Sequence, residues 1–176
     1  MQSRSDSLRN PISCLSAIGV IHTPFTQCAG TPIQSSGASE VEGIVEVFPE
    51  YAEGLKDVAD FDRLWLIYHL HRSAQTQLLV RPYLDNRQRG VFATRSPARP
   101  NHLGISPVRL LRVEGNRLHV AQVDMLDGTP LLDIKPYVPE FDHFPVQRNG
   151  WYQGRSAQGV VADERSALTD DPRHRS

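Results

Sequence analysis

Cysteine is nearly absent from this chain: Cys14 and Cys28 are the only two. Two thiols make neither a disulfide framework nor a metal site, and a reduced, cytoplasmic setting fits that scarcity. No apolar run approaches the roughly 20 residues of a membrane-spanning helix. The start carries Arg4, Asp6 and Arg9 without an apolar stretch, unlike a secretory leader. No membrane role and no metal are therefore expected. Lysine is almost as scarce, with Lys56 and Lys135 beside 17 arginines. The Gly-x-Gly-x-x-Gly fingerprint is missing, as are a P-loop, a zinc signature and a Ser-His-Asp elbow. No alternation of strand and helix is visible either, so a Rossmann nucleotide site is not expected. No internal repeat appears.

The length, 176 residues, suits one domain. Its 39% hydrophobic content is slightly low, and the shortfall sits at the ends. Residues 1–16 and 153–176 read as flexible tails around a compact domain at 17–152. A net charge of −1 points to no partner, but the distribution does. Glu40 to Asp62 holds eight acids and one lysine; Arg81 to Arg112 holds seven arginines and one acid, Asp85. The basic segment suits phosphate, unless the two segments neutralise each other in the fold.

Short strands are expected at Ala17 to His22, Gly43 to Phe48, Leu64 to Leu70, Gln77 to Arg81, Gly90 to Thr94, Pro107 to Val113, Arg117 to Met125 and Leu131 to Ile134. Leu64 to Leu70 is apolar on both faces and is expected to be buried. Glu114-Gly115-Asn116 reads as a hairpin turn. Pro49 to Phe61 reads as a helix with Tyr51, Leu55 and Val58 on one face. The fold class is mainly β: a small β-barrel with one or two short helices.

Gly90 to Gly104 is the most informative stretch: a strand running into a loop with Pro97, Pro100, Arg95 and Arg99. Such a loop is costly to order unless something binds it, and rigid arginine forks suit a carboxylate, a phosphate or an aromatic ring. Solvated surface arginines are the bland alternative. His69 and His71, two apart at a strand end, share a face and offer two metal ligands with no obvious third, or a hydrogen-bonded pair at a barrel mouth. His71-Arg72-Ser73 suits a ligand pocket. Asp127-Gly128-Thr129-Pro130 is a turn by composition. Asp124, Asp127 and Asp133 exceed a turn's needs, and Lys135 can hold an anion or pair with Asp133. Gln34, in Thr31-Pro32-Ile33-Gln34, presents both a donor and an acceptor.

Taken together, Ile18-Gly19-Val20-Ile21-His22-Thr23-Pro24, Phe61-Asp62-Arg63-Leu64-Trp65-Leu66, Gly90-Val91-Phe92-Ala93-Thr94-Arg95-Ser96, Arg99-Pro100-Asn101-His102-Leu103-Gly104 and the run from Leu126 to Tyr137 resemble the TsaA-like, or TrmO, family. The likeness covers about Ala17 to Asp142. It implies a small TsaA-like barrel, a homodimer, S-adenosyl-L-methionine as cofactor and tRNA as substrate. The implied reaction is N6-methylation of N6-threonylcarbamoyladenosine next to the anticodon. Cofactor contacts carry over by motif to Pro32, Ile33, Gln34, His71, Arg72, Arg95, Ile105, Asp124, Asp127, Gly128, Thr129 and Pro130. Ile33 stands where many members have arginine. Arg95 is expected to face the cofactor's carboxylate, and Asp127 its ribose hydroxyls or amine. Asp127 and Tyr137 are the candidate proton acceptors. Arg87, Arg89, Arg99, His102 and Lys135 are the expected contacts to the tRNA anticodon loop. Longer members add a C-terminal domain, for which Glu140 to Ser176 is too short. The alternative is a dimeric S-adenosylmethionine- or nucleotide-binding regulatory module with no activity on tRNA.

Overall fold

The structure, a computed structural model, describes residues 15–163 apart from 39 and 74; most of both expected tails therefore lies outside the described residues. Eight strands follow one another: β1 (Gly19–His22), β2 (Glu42–Val47), β3 (Arg63–His69), β4 (Leu79–Val80), β5 (Arg89–Gly90), β6 (Leu103–Glu114), β7 (Arg117–Ala121) and β8 (Thr129–Pro136). Six close into an antiparallel barrel in the order β1-β2-β7-β6-β3-β8, while β4 and β5 pair separately. Closure leaves the six strands no open edge.

The two-residue period of the strands fills the barrel. Ile21, Val45, Val47, Leu64, Leu66, Val108, Leu118, Val120 and Leu131 point inward and are essentially inaccessible. On β3 the alternation is strict: Leu64, Leu66 and Tyr68 are buried, whereas Arg63, Trp65 and Ile67 are only half-buried. The expectation that this strand is buried on both faces therefore holds for one. The β6–β7 hairpin turns at Gly115-Asn116 with Glu114 opposite Arg117, as the sequence suggests, and Gly115 takes φ of +62°. Asn116 then ties the turn to β2, donating through Nδ2 to the Val47 carbonyl at 2.6 Å.

Three local expectations change. The stretch after Pro49 is two 3-10 turns, Pro49–Leu55 and Val58–Asp60, rather than one helix. Asp57 between them sits at φ +64°, outside helical geometry, and Gly54 weakens the last turn. Leu55 and Val58 still pack on the core, but Tyr51 is exposed. Gly90 to Thr94 is not a strand; only Arg89–Gly90 pairs, and Val91–Ala93 coils into a 3-10 turn capped by Thr94, whose Oγ1 donates to the Val91 carbonyl at 2.8 Å. Finally, β6 begins four residues before Pro107, which pairs with Trp65 inside the strand. Among the described residues no helix is long and apolar enough to cross a membrane.

Candidate functional site

At one end of the barrel the inward positions turn polar. Ser106 pairs with Leu66, Gly104 with Tyr68, and Tyr68 with Leu131. This brings Tyr68, Ser106 and the first residue of β8, Thr129, to the lining of one cleft of about 910 Å³. A Cβ on Gly104 would lie 2.1 Å from the Tyr68 ring, so only glycine leaves the ring its place.

The cleft's chemistry centres on Asp124, the one carboxylate among its described lining residues; Arg72, Arg81, Arg95 and Arg99 line it too. Ser106 Oγ donates to Asp124 Oδ1 at 2.6 Å. A serine hydroxyl has one proton to give, so at the 3.0 Å contact Tyr68 must donate to Ser106. The result is a directed chain from Tyr68 through Ser106 to Asp124. Burial pushes the Asp124 pKa up to about 6, against the opposing pull of Ser106, the Ser35 amide and Arg95. Burial, with the Asp124 charge behind it, also raises Tyr68, which therefore stays protonated. Arg95 is itself oriented: its NH1 donates to Gln34 Oε1 at 2.8 Å. The Nε of Arg72 is buried without a hydrogen-bond partner while NH1 donates to the Thr26 carbonyl at 2.6 Å.

The arginine loop orders itself. Ser96 N donates to Thr94 Oγ1 and Ala98 N to Ser96 Oγ. Arg99 NH1 donates to the carbonyls of Thr94 at 3.2 Å and Ser96 at 3.4 Å. Arg99 is thus spent on the loop, whereas Arg95 is exposed at the cleft.

Nine of the twelve expected cofactor residues line this cleft: Pro32, Ile33, Gln34, His71, Arg72, Arg95, Ile105, Asp124 and Thr129. Asp127, Gly128 and Pro130 do not line it. Asp127 faces the end of β1, accepting from Thr23 N at 3.1 Å and lying 3.6 Å from His22 Nδ1. Gly128 N donates to the Ile21 carbonyl, and Pro130 pairs with Val20. Tyr137 packs against Trp65, with ring centroids 5.7 Å apart, and does not line the cleft.

Of the expected RNA contacts, Arg99 alone lines the cleft. Arg87 is exposed. Arg89 grips Asp85 through Nε and NH2 at 2.9 and 2.6 Å. Lys135 pairs with Asp133 at 2.9 Å. His102 sits at φ +48° with its ring edge-on to His69; burial, with His102 beside it, lowers the His69 pKa. His69 and His71 do not share a face, because the chain reverses where His71 N donates to the His69 carbonyl at 2.8 Å. Only His71 reaches the cleft. Among the described residues no three His, Cys, Asp or Glu side chains cluster as a metal site. Among the described residues Arg109 pairs with Glu40 across the acidic and basic segments, while Arg89 and Arg112 use the nearby acids Asp85 and Glu114.

Sequence reasoning missed Tyr68 and Ser106, although polar groups at inward positions of apolar strands were a usable signal. It also missed Trp151 and Tyr152, which line the cleft from beyond the last strand.

A closed antiparallel barrel with one polar-ended cleft defines a small-ligand domain unrelated to doubly wound nucleotide folds. Residues 20–143 match the tRNA-methyltransferase O N-terminal domain, and the chain belongs to that family. It is 56% identical over 140 residues to the probable S-adenosyl-L-methionine-binding protein of Pyrococcus abyssi, covering 80% of this chain and 76% of that one. It is 34% identical over 132 residues to the tRNA (adenine(37)-N6)-methyltransferase of Mus musculus, covering 71% of this chain but 31% of the mouse protein. The crystal structure of TrmO from Pseudomonas aeruginosa superposes with a TM-score of 0.67 at 36% identity, over 80% of this chain and 63% of that chain.

Proposed function

We propose that this chain is an S-adenosylmethionine-dependent tRNA methyltransferase acting on N6 of N6-threonylcarbamoyladenosine beside the anticodon. The observation that carries the reading is the lone carboxylate of Asp124 set among arginines in the cleft of a TrmO-family barrel. The residues suit the cofactor. Arg95, oriented by Gln34, offers a guanidinium to its carboxylate, and the orphaned Nε of Arg72 offers a second donor. Leu103, Ile105, Met125 and Leu126 give apolar surface for a heterocycle. A volume of 910 Å³ lies at the upper end of the roughly 300–1,000 Å³ of small-molecule sites, leaving room for part of an acceptor nucleotide.

When bound, S-adenosylmethionine supplies a methyl group on a cationic sulfur. The chain's own task is to align the acceptor and receive its proton. Asp124 replaces Asp127 and Tyr137 as the acceptor of the N6 proton, because it lines the cleft and burial raises its pKa to about 6. The Tyr68–Ser106 chain holds its carboxylate in place. Exposed Arg87 serves the RNA phosphates. The chain works as a homodimer in this reading, which light scattering checks.

The test is methyl transfer from labelled cofactor to tRNA from cells lacking this activity, followed by nucleoside mass analysis. Methylated N6-threonylcarbamoyladenosine supports the reading. Cofactor binding without transfer to any RNA refutes it and favours the regulatory module. Activity of the wild type should rise with pH through about 6, and Asp124→Asn should abolish turnover while retaining cofactor binding.

A further inference from the structure

One wall of the cleft comes from residues beyond the span that matches the family domain. Residues 149–163 cross from one side of the cleft to the other. On the first side Trp151 Nε1 donates to the Ala93 carbonyl at 2.7 Å. Arg155 Nε donates to the Leu84 carbonyl at 2.9 Å, and its NH2 lies 3.7 Å from Asp85. Both Arg155 and Arg89 stand over the Trp151 ring, each 5.7 Å from its centroid. On the other side Val161 bridges Pro32 in antiparallel register. Ile33 N donates to the Val160 carbonyl, and Ala162 exchanges backbone hydrogen bonds with Gly30 and Thr31. The strap therefore fixes the segment that carries Gln34, and Gln34 in turn orients Arg95.

What the strap shows to the cleft is apolar and aromatic: Trp151, Tyr152, Ala157 and Ala162. Trp151 and Tyr152 are stacked, with centroids 3.8 Å apart. Arginines and the Ala93 carbonyl occupy Trp151, which makes it the anchor. Tyr152, stacked on that anchor, keeps the freer ring. We propose that residues 149–163 complete the binding site and that Tyr152 provides a stacking surface for a purine base, with Trp151 and Arg155 as positioning residues. The proposal rests on the functional reading above. A purine base can come from the cofactor or from the acceptor nucleotide, and both have the same stacking chemistry.

Trp65 and Trp151 are the only tryptophans, so Trp65→Phe leaves Trp151 as the sole reporter. That full-length variant is titrated with S-adenosylhomocysteine and, separately, with an anticodon stem-loop RNA, while calorimetry records binding in parallel. Tyr152→Ala and Arg155→Ala are measured the same way, with thermal melts to check the barrel. A saturable change in Trp151 emission with S-adenosylhomocysteine, and about tenfold weaker binding in both variants, assigns the surface to the cofactor's base. The same pattern with RNA alone assigns it to the acceptor's base. Calorimetric binding of both ligands with unchanged emission and unchanged variant affinities overturns the proposal. Calorimetric binding of neither ligand, by the Trp65→Phe protein or by the unsubstituted chain run alongside it, overturns the functional reading and the strap's role with it.

Discussion

Replacing Asp124 by asparagine should remove a pH dependence of stability whose sign is opposite to that of an ion-paired carboxylate. Its carboxyl is displaced upward, from an ordinary value of 3.8 to about 6, because burial penalises the charge more than Ser106, Ser35 and Arg95 stabilise it. The folded state thus holds the proton more tightly than the unfolded chain. The associated stability is fully present below about pH 4 and is lost as pH rises through about 6. The displacement corresponds to about 3 kcal/mol. Asparagine has nearly the shape of the neutral acid and does not titrate. Relative to Asp124→Asn, the wild type should therefore lose about 2 kcal/mol between about pH 4 and about pH 7, most of that total. Burial holds the proton on neighbouring Tyr68 over that range, and distant groups titrate in both proteins and cancel. Urea unfolding of the two proteins at matched pH values measures the difference. Stability curves that run parallel across the range within about 0.5 kcal/mol would refute the account of a desolvated carboxylate.

Three further outcomes follow from the same geometry. Gly104→Ala places a Cβ 2.1 Å from the Tyr68 ring and should cost about 1–3 kcal/mol in chemical unfolding, weakening cofactor binding as the ring leaves Ser106. Leu66→Ala removes a fully buried side chain from the barrel core and should cost about 2–5 kcal/mol in the same assay, with the lower end marking a core that collapses into the gap. Arg95→Ala sits at an exposed position and should leave stability within about 0.5 kcal/mol, yet weaken cofactor binding about tenfold in calorimetry; unchanged affinity would remove Arg95 from the site.

The barrel was legible because its strands obey a local rule. On β2 the buried Val45 and Val47 alternate with half-buried Ile44 and Glu46, and Gly115 marks the β6–β7 turn. Misplaced boundaries trace to proline and to left-handed backbone. Pro107 and Pro130 read as strand limits, but both lie inside paired strands. Asp57 breaks the expected helix through a positive φ that neither periodicity nor propensity forecasts. The strap at 149–163 was illegible for another reason. Its backbone pairs with residues 30–33, more than a hundred positions away, and its few aromatics carry no period.

The site shows the same division between local and long-range information. Motif resemblance located nine cleft residues but could not say what each side chain does, because that depends on competition for its hydrogen bonds. Arg95 and Arg99 are four residues apart in one loop and look equivalent in sequence. The nearest acceptors decide between them: Thr94 and Ser96 turn their carbonyls to Arg99, and Gln34, from a distant loop, accepts from Arg95. The same logic separates Asp124 from Asp127. The amide of Thr23 meets Asp127 and turns it toward the end of β1. Asp124 is left where burial outweighs its partners, which is the condition for a carboxylate to exchange a proton near neutral pH. Sequence therefore identified the loop and the turn, while what separates the members of each pair emerged only once their hydrogen-bond partners were in place.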